Sequence, residues 1–198
     1  MTSRLIFDSL KVVSNLTDDL KNALSSVVSS AGDVVTTTRD VAKDTVVKTL
    51  QASGDVATSA AGTVGEVVSE GVAVASSVGV STAQAITGLV SGVIEGVKEI
   101  GGDTGQTATE AAHGAVKGVS NVGGDVGEAA VSAVEGAIKA ASDLGEDSGE
   151  LAKNAVVGAI KAADEVGSEV GSLARKALLG AAALPHDVID ALLTGKTD

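Results

Sequence analysis

Two histidines, His113 and His186, are the only imidazoles in this 198-residue chain, and neither has a second histidine at metal-ligand spacing. There is no cysteine, which excludes disulfides, thiolate catalysis and cysteine-held metals and leaves the redox compartment undetermined. Asp187 and Asp190 lie near His186, but one histidine beside two carboxylates is an ordinary helix-end grouping. Asp143, Glu146 and Asp147 are close enough in sequence to gather a hard cation such as calcium. They lack the ligand spacing of a helix-loop-helix calcium site, and helix capping accounts for them. Serines and threonines are plentiful, yet none has a base partner visible in sequence. The glycine pairs, such as Gly123-Gly124, are not followed by the Gly-Lys-Ser or Gly-Lys-Thr of a phosphate loop. This inventory predicts no catalytic residue, no metal and no cofactor: the chain does not read as an enzyme.

Charge and composition narrow the partners. A net charge of −12 opposes nucleic acid, whose phosphates need clustered Lys and Arg, and opposes docking on anionic lipid. Aromatic residues make up 1%, with Phe7 alone representing them, which leaves no platform for stacking bases or sugars. The apolar residues are mainly Ala and Val, so each buries little area at roughly 25 cal/mol per Å². Stability must then come from many close backbone contacts. The N-terminus reaches Arg4 and Asp8 too soon for a signal-peptide core, and a cytoplasmic location is the default expectation.

The residues that could do chemistry are thus few, and what organises the chain is a repeat. Gly102-Asp103, Gly124-Asp125, Glu146-Asp147 and Ser168-Glu169 open four blocks spaced by 22 residues, and Gly32-Asp33 and Gly54-Asp55 share that interval. The block from Val80 begins four residues late, so Ser76–Gly79 reads as an insertion of about one helical turn. A period of this length marks one supersecondary unit copied along the chain. Three regions follow: an amphipathic lead-in over 1–31, a repeat region over 32–189 and a tail over 190–198.

Aligned, the blocks separate into columns. Ala108, Ala130, Ala152 and Ala174 share one column, and Ala111, Ala133, Ala155 and Ala177 the next. Ala115, Ala137, Ala159 and Ala181 follow, then Val119, Ala141 and Ala163, and finally Val122, Leu144, Val166 and Val188. Steps of three and four trace one helix face. Lys117, Lys139 and Lys161 hold a polar column. Strand character is confined to Val34–Thr38 and Val72–Val80, where β-branched residues cluster.

Each junction carries stop and start signals. Glycines follow a helical run, and the pairs Asp103 and Gln106, Asp125 and Glu128, and Asp147 and Glu150 have capping-box spacing. The sequence therefore predicts an all-α repeat array of antiparallel amphipathic helices of about 17–19 residues, joined by short Gly/Asp turns. The alternative is one or two long continuous helices. The apolar columns keep phase through the junctions, because 22 residues are two 11-residue units at about 3.67 per turn. Paired glycines would cost such a helix about 2 kcal/mol relative to alanine.

Inside the helices, Gly88, Gly92 and Gly96 recur every four residues, as do Gly114 and Gly118. Small residues at this spacing let two helix backbones approach closely. They are the candidate packing residues within the chain, or assembly residues between copies. Residues 71–94 carry no charge and match a membrane span of about 20 residues. Seven Ser, Thr and Gln side chains interrupt them and no basic residues anchor their ends, so a buried helix or hairpin is expected there ahead of a span.

His113-Gly-Ala-Val-Lys-Gly-Val119 followed by Asn121-Val-Gly-Gly124 resembles the Val-rich, small-residue repeats of synucleins. The 11/22 period is similar to that of perilipins, exchangeable apolipoproteins and late-embryogenesis-abundant proteins. The resemblance implies amphipathic helices that form on lipid surfaces or on drying. It spans Val80–Val188 and departs in charge, since synuclein repeats carry paired lysines whereas acids outnumber bases here. Together these readings predict a non-catalytic structural repeat protein that self-assembles or coats a neutral hydrophobic, lipid-like surface. The alternative is a helical module binding a small lipid or pigment in an apolar groove.

Overall fold

A computed structural model describes residues 17–26, 33–53, 60–181 and 184. Among the described residues the chain is helical with no strand. A segment over 17–26 (α1) is followed by α2 (Val34–Ser53), α3 (Ala60–Val78), α4 (Thr82–Glu99), α5 (Thr104–Asn121), α6 (Val126–Leu144), α7 (Ser148–Val166) and α8 (Ser168–Gly180). The continuous-helix alternative does not describe this chain. Val34–Thr38 lies in α2 and Val72–Val78 in α3, so tertiary packing overrides the local β-branched preference.

What breaks the helices is local and repeated. Gly79, Gly101, Gly123 and Gly145 have φ between +69° and +80°, a left-handed conformation that only glycine adopts freely. Around Gly123, the Gly124 N–H donates to Val119 O at 2.9 Å and the Gly123 N–H to Ser120 O at 3.2 Å. The same pair of bonds recurs around the other three glycines, closing the helix end in the Schellman manner. Asp then opens the next helix. Asp103, Asp125 and Asp147 accept the N–H of Gln106, Glu128 and Glu150 at 2.9, 3.0 and 3.1 Å, and Ser81 serves α4 with a bond from Gln84 at 3.4 Å. Asp33 starts α2 likewise, accepting from Val35 N at 2.9 Å. Only this half of each capping box forms. The side chains of Gln106, Glu128 and Glu150 are exposed and make no hydrogen bond back to the capping residue.

Gly79 thus belongs to the turn column, and Ser76–Val78 complete α3. The four extra residues assigned above to Ser76–Gly79 enter instead between Arg39 and Gly65. Gly92 packs on Arg39, 53 residues back, whereas Gly114 packs on Gly65, Gly136 on Thr87 and Gly158 on Thr109, each 49 residues back. Of the lead-in, 17–26 is described; the tail over 190–198 lies outside the described residues.

The most extensive contacts join helices two apart: α2 with α4, α4 with α6, α3 with α5 and α5 with α7; α6 also touches α8, though less extensively than α7 touches either. The even helices form one layer and the odd helices another, with sequence neighbours in contact across them. Within a layer, contacts advance in the same direction on both helices, from Gly92 on Arg39 to Gly96 on Lys43, so helices two apart run parallel. The end of α3, the start of α4, the end of α5 and the start of α6 surround one cavity at Ser76, Thr82, Val122 and Asp125. That is what a chain reversing at each turn produces.

The core is a seam of small side chains. Ala108, Ala111, Ala115, Ala130, Ala133, Ala137, Ala152, Ala155 and Ala159 are fully buried, with Leu20, Leu24, Leu50, Ile86, Leu89 and Ile94 supplying bulk near the N-terminal half. The last apolar column joins it only in part: Leu144 packs against the core, and Val188 lies outside the described residues. Val122 is 39% and Val166 44% exposed, because both stand at helix ends where the chain turns away from the core.

Candidate functional site: the glycine contacts

The five glycines singled out by spacing all sit at helix crossings within the chain. A Cβ on Gly88 would lie 1.9 Å from Thr38 Oγ1, on Gly92 2.2 Å from Arg39 O, and on Gly96 3.0 Å from Lys43 O. On Gly114 it would lie 2.4 Å from Gly65 O, and on Gly118 3.0 Å from Ser69 O. These are backbone atoms for the most part, so the neighbour cannot swing aside. The glycines let α4 lie on α2 and α5 on α3 at backbone contact.

Two further contacts escaped the spacing argument because a single glycine per helix makes them. Gly136 would place a Cβ 2.7 Å from Thr87 O, and Gly158 2.0 Å from Thr109 O. Their signal was in the columns all along, since Gly92, Gly114, Gly136, Gly158 and Gly180 are 22 residues apart. At both contacts a threonine marks the register. The Thr87 hydroxyl proton is shared between Ala83 O at 3.1 Å in its own helix and Ser132 O at 3.3 Å on α6. The Thr109 hydroxyl repeats this with Gly105 O at 3.3 Å and Asn154 O at 3.2 Å on α7. Removing the Cβ on one helix brings its carbonyls within reach of the other's hydroxyl.

Two surface pairs follow the same two-apart pattern. Lys43 meets Glu99 at 3.0 Å between α2 and α4, and His113 meets Glu165 at 3.0 Å between α5 and α7. The Lys98 ammonium hydrogen-bonds Glu146 and holds its carboxyl below the ordinary range, despite burial. Arg175 donates to Asp164 from both terminal guanidinium nitrogens, Nη1 and Nη2, and lowers its pKa likewise. Exposed pairs of this kind contribute at most about 1 kcal/mol each and serve chiefly to fix register.

The acidic junction residues part company. Asp143 pairs with Lys139 at 2.9 Å, Glu146 with Lys98, and Asp147 caps α7. Among the described residues no three His, Cys, Asp or Glu side chains gather where they could hold a metal ion; His186 lies outside them. The stretch over 71–94 is divided by the Gly79 turn into the end of α3 and the start of α4, and no described helix is long and apolar enough to cross a membrane. An open groove of about 610 Å³ between the start of α6 and α8 is lined by Val126, Val170, Leu173 and Ala177, with Asp125 and Lys176 at its rim. Compared with family models and with curated proteins, the chain matches none.

Proposed function

We propose that this is a non-catalytic structural repeat protein that coats a neutral hydrophobic or lipid-like surface. The supporting observation is where the large apolar side chains lie exposed. Among the described residues these are Val122, Val157, Val166, Leu173 and Leu179, four of them on the last two helices, with Leu173 61% exposed. Lys153, Lys161 and Lys176 stand among them, exposed on the same two helices. Apolar side chains beside long lysine stems suit insertion at an apolar–water boundary. Self-assembly through the glycines, the other expected mode, would first require α2 or α3 to leave its place on α4 or α5. A lipid- or pigment-binding role would use the groove beside α8; its open side favours a surface over an enclosed ligand.

The test is co-sedimentation with neutral phosphatidylcholine vesicles and with uncharged polymer beads. The wild-type chain is expected to bind both, and V157S/L173S/L179S to bind at least ten-fold more weakly. Equal binding by the two proteins, or none by the wild type, would remove the proposal. A stoichiometric small molecule extracted from the native protein would favour the groove instead.

A further inference from the structure

Helices α2 to α5 each have a receiving residue, whose backbone takes the next helix of the layer; five positions beyond the equivalent residue, α4 to α7 each have a docking residue, which packs on the previous helix. Five residues turn a helix by about 140°, so the two look toward opposite ends of the array. The docking residue is glycine in α4 to α8: Gly92, Gly114, Gly136, Gly158 and Gly180. At the same position α2 and α3, the first helices after α1, carry Asp44 and Glu70. Both are exposed. The receiving residues of α3, α4 and α5 are Gly65, Thr87 and Thr109, while α7 and α8, the last helices among the described residues, carry Lys153 and Arg175.

We infer that the array is built to exclude its own copies from its ends. A second copy continuing the array would have to lay its α2 and α3 on the first copy's α7 and α8. The interior contacts show what that demands: a Cβ at the docking position falls 2.0–2.7 Å from the receiving carbonyl, closer than any side chain tolerates. Asp44 and Glu70 each bring a Cβ and a carboxylate to that point. Every glycine that meets the demand is on α4 or later, and those of α4 to α7 are already seated inside the chain. The charged receiver alone does not bar entry, since Arg39 accepts Gly92 by turning its guanidinium to Asp40 and Asp143 at 3.2 and 3.8 Å. The missing glycine is the bar, and it is a matter of shape before charge. An open-ended array of parallel contacts otherwise invites head-to-tail growth, which forms filaments when it does not close. This inference does not rest on which surface the protein coats.

The experiment compares wild type, D44G/E70G/K153T and D44A/E70A/K153T by sedimentation velocity over a hundred-fold concentration range. Circular dichroism first establishes that each is as helical as wild type. The wild type is expected to stay monomeric, and the glycine variant to associate at concentrations at least ten-fold below any association of the wild type. The alanine variant, which loses the charge but keeps the Cβ, is expected to remain monomeric. A wild type that itself assembles overturns the inference. So does a glycine variant that stays monomeric, or an alanine variant that associates as tightly as the glycine one.

Discussion

The junction between α5 and α6 and the one between α7 and α8 do the same job with different parts. At the first, Gly123 turns the chain at φ +72° and Asp125 caps the next helix. At the second, a single residue separates the helices. Gly167 has φ 161°, an extended conformation open to any residue, and offers α8 no side-chain cap. The helix that follows differs accordingly. α6 runs 19 residues and seats Gly136 on α4; α8 runs 13, and its Gly180 has no atom within 4 Å of where a Cβ would stand. Interior repeats are thus held by a turn, a cap and a backbone contact acting together, whereas the last repeat has none of the three. The difference locates the exposed leucines as well, because among the described residues no further helix lies on α8.

Breaking an interior contact should have the largest effect. Gly136→Leu drives a branched side chain into Thr87 O and Val90 Cβ and should lower stability by about 3 kcal/mol or more, read as a loss of cooperative melting in circular dichroism. The matching Gly180→Leu should leave the fold intact. At the junctions, Gly123→Ala forces a left-handed alanine and should cost about 1–2 kcal/mol, and Asp125→Ala about 1 kcal/mol. Gly167→Ala meets no such backbone penalty, and Gly167→Asp should raise stability by a few tenths of a kcal/mol by supplying the missing cap. Equal losses at the two junctions, measured by urea unfolding, would dissolve the distinction between them.

Acid should act more mildly. Asp33, Glu146, Asp164 and Glu165 are held below their ordinary pKa, by the Thr36 N–H, Lys98, Arg175 and His113 respectively. A carboxyl depressed in the folded state contributes stability that is complete above its unfolded pKa, about 4, and is lost as pH falls through the folded value. The melting temperature should therefore drop below about pH 4, and Lys98→Met should make that drop shallower. An identical acid profile in the variant would show that the Lys98–Glu146 pair contributes nothing.

Much of this was legible in the sequence, and the parts that were not have physical reasons. The period, the alanine seam, the turn glycines and the Asp caps are local signals, and local signals survive without a partner in view. Which helices touch was not legible. Every block carries the same columns, so α5 offers the same face whether it meets α6 or α7. The decisive hint, a threonine in one block and a glycine 49 residues on, is a relation between blocks rather than a motif within one. The insertion was misplaced because Gly54-Asp55 looks like the other junctions, whereas Gly79 takes the turn. Val72–Val80 read as strand-forming from its β-branched residues, yet Val72 and Ala75 are fully buried within α3.

The central claim is that glycine-to-backbone contacts between helices two apart hold this chain together, and one matched pair of variants tests it most directly. Gly158→Ala and Gly180→Ala make the same chemical change in consecutive repeats of one column. At Gly158 the new methyl would stand 2.0 Å from Thr109 O; at Gly180 it meets nothing within 4 Å. Alanine is the better helix former by about 1 kcal/mol, so without the contact both variants should melt higher, as they would in a continuous helix. The contact predicts opposite signs in thermal melts. Gly158→Ala should lose about 1–3 kcal/mol, or several degrees, and Gly180→Ala should gain a degree or two. Two variants that both melt above the wild type would contradict the account.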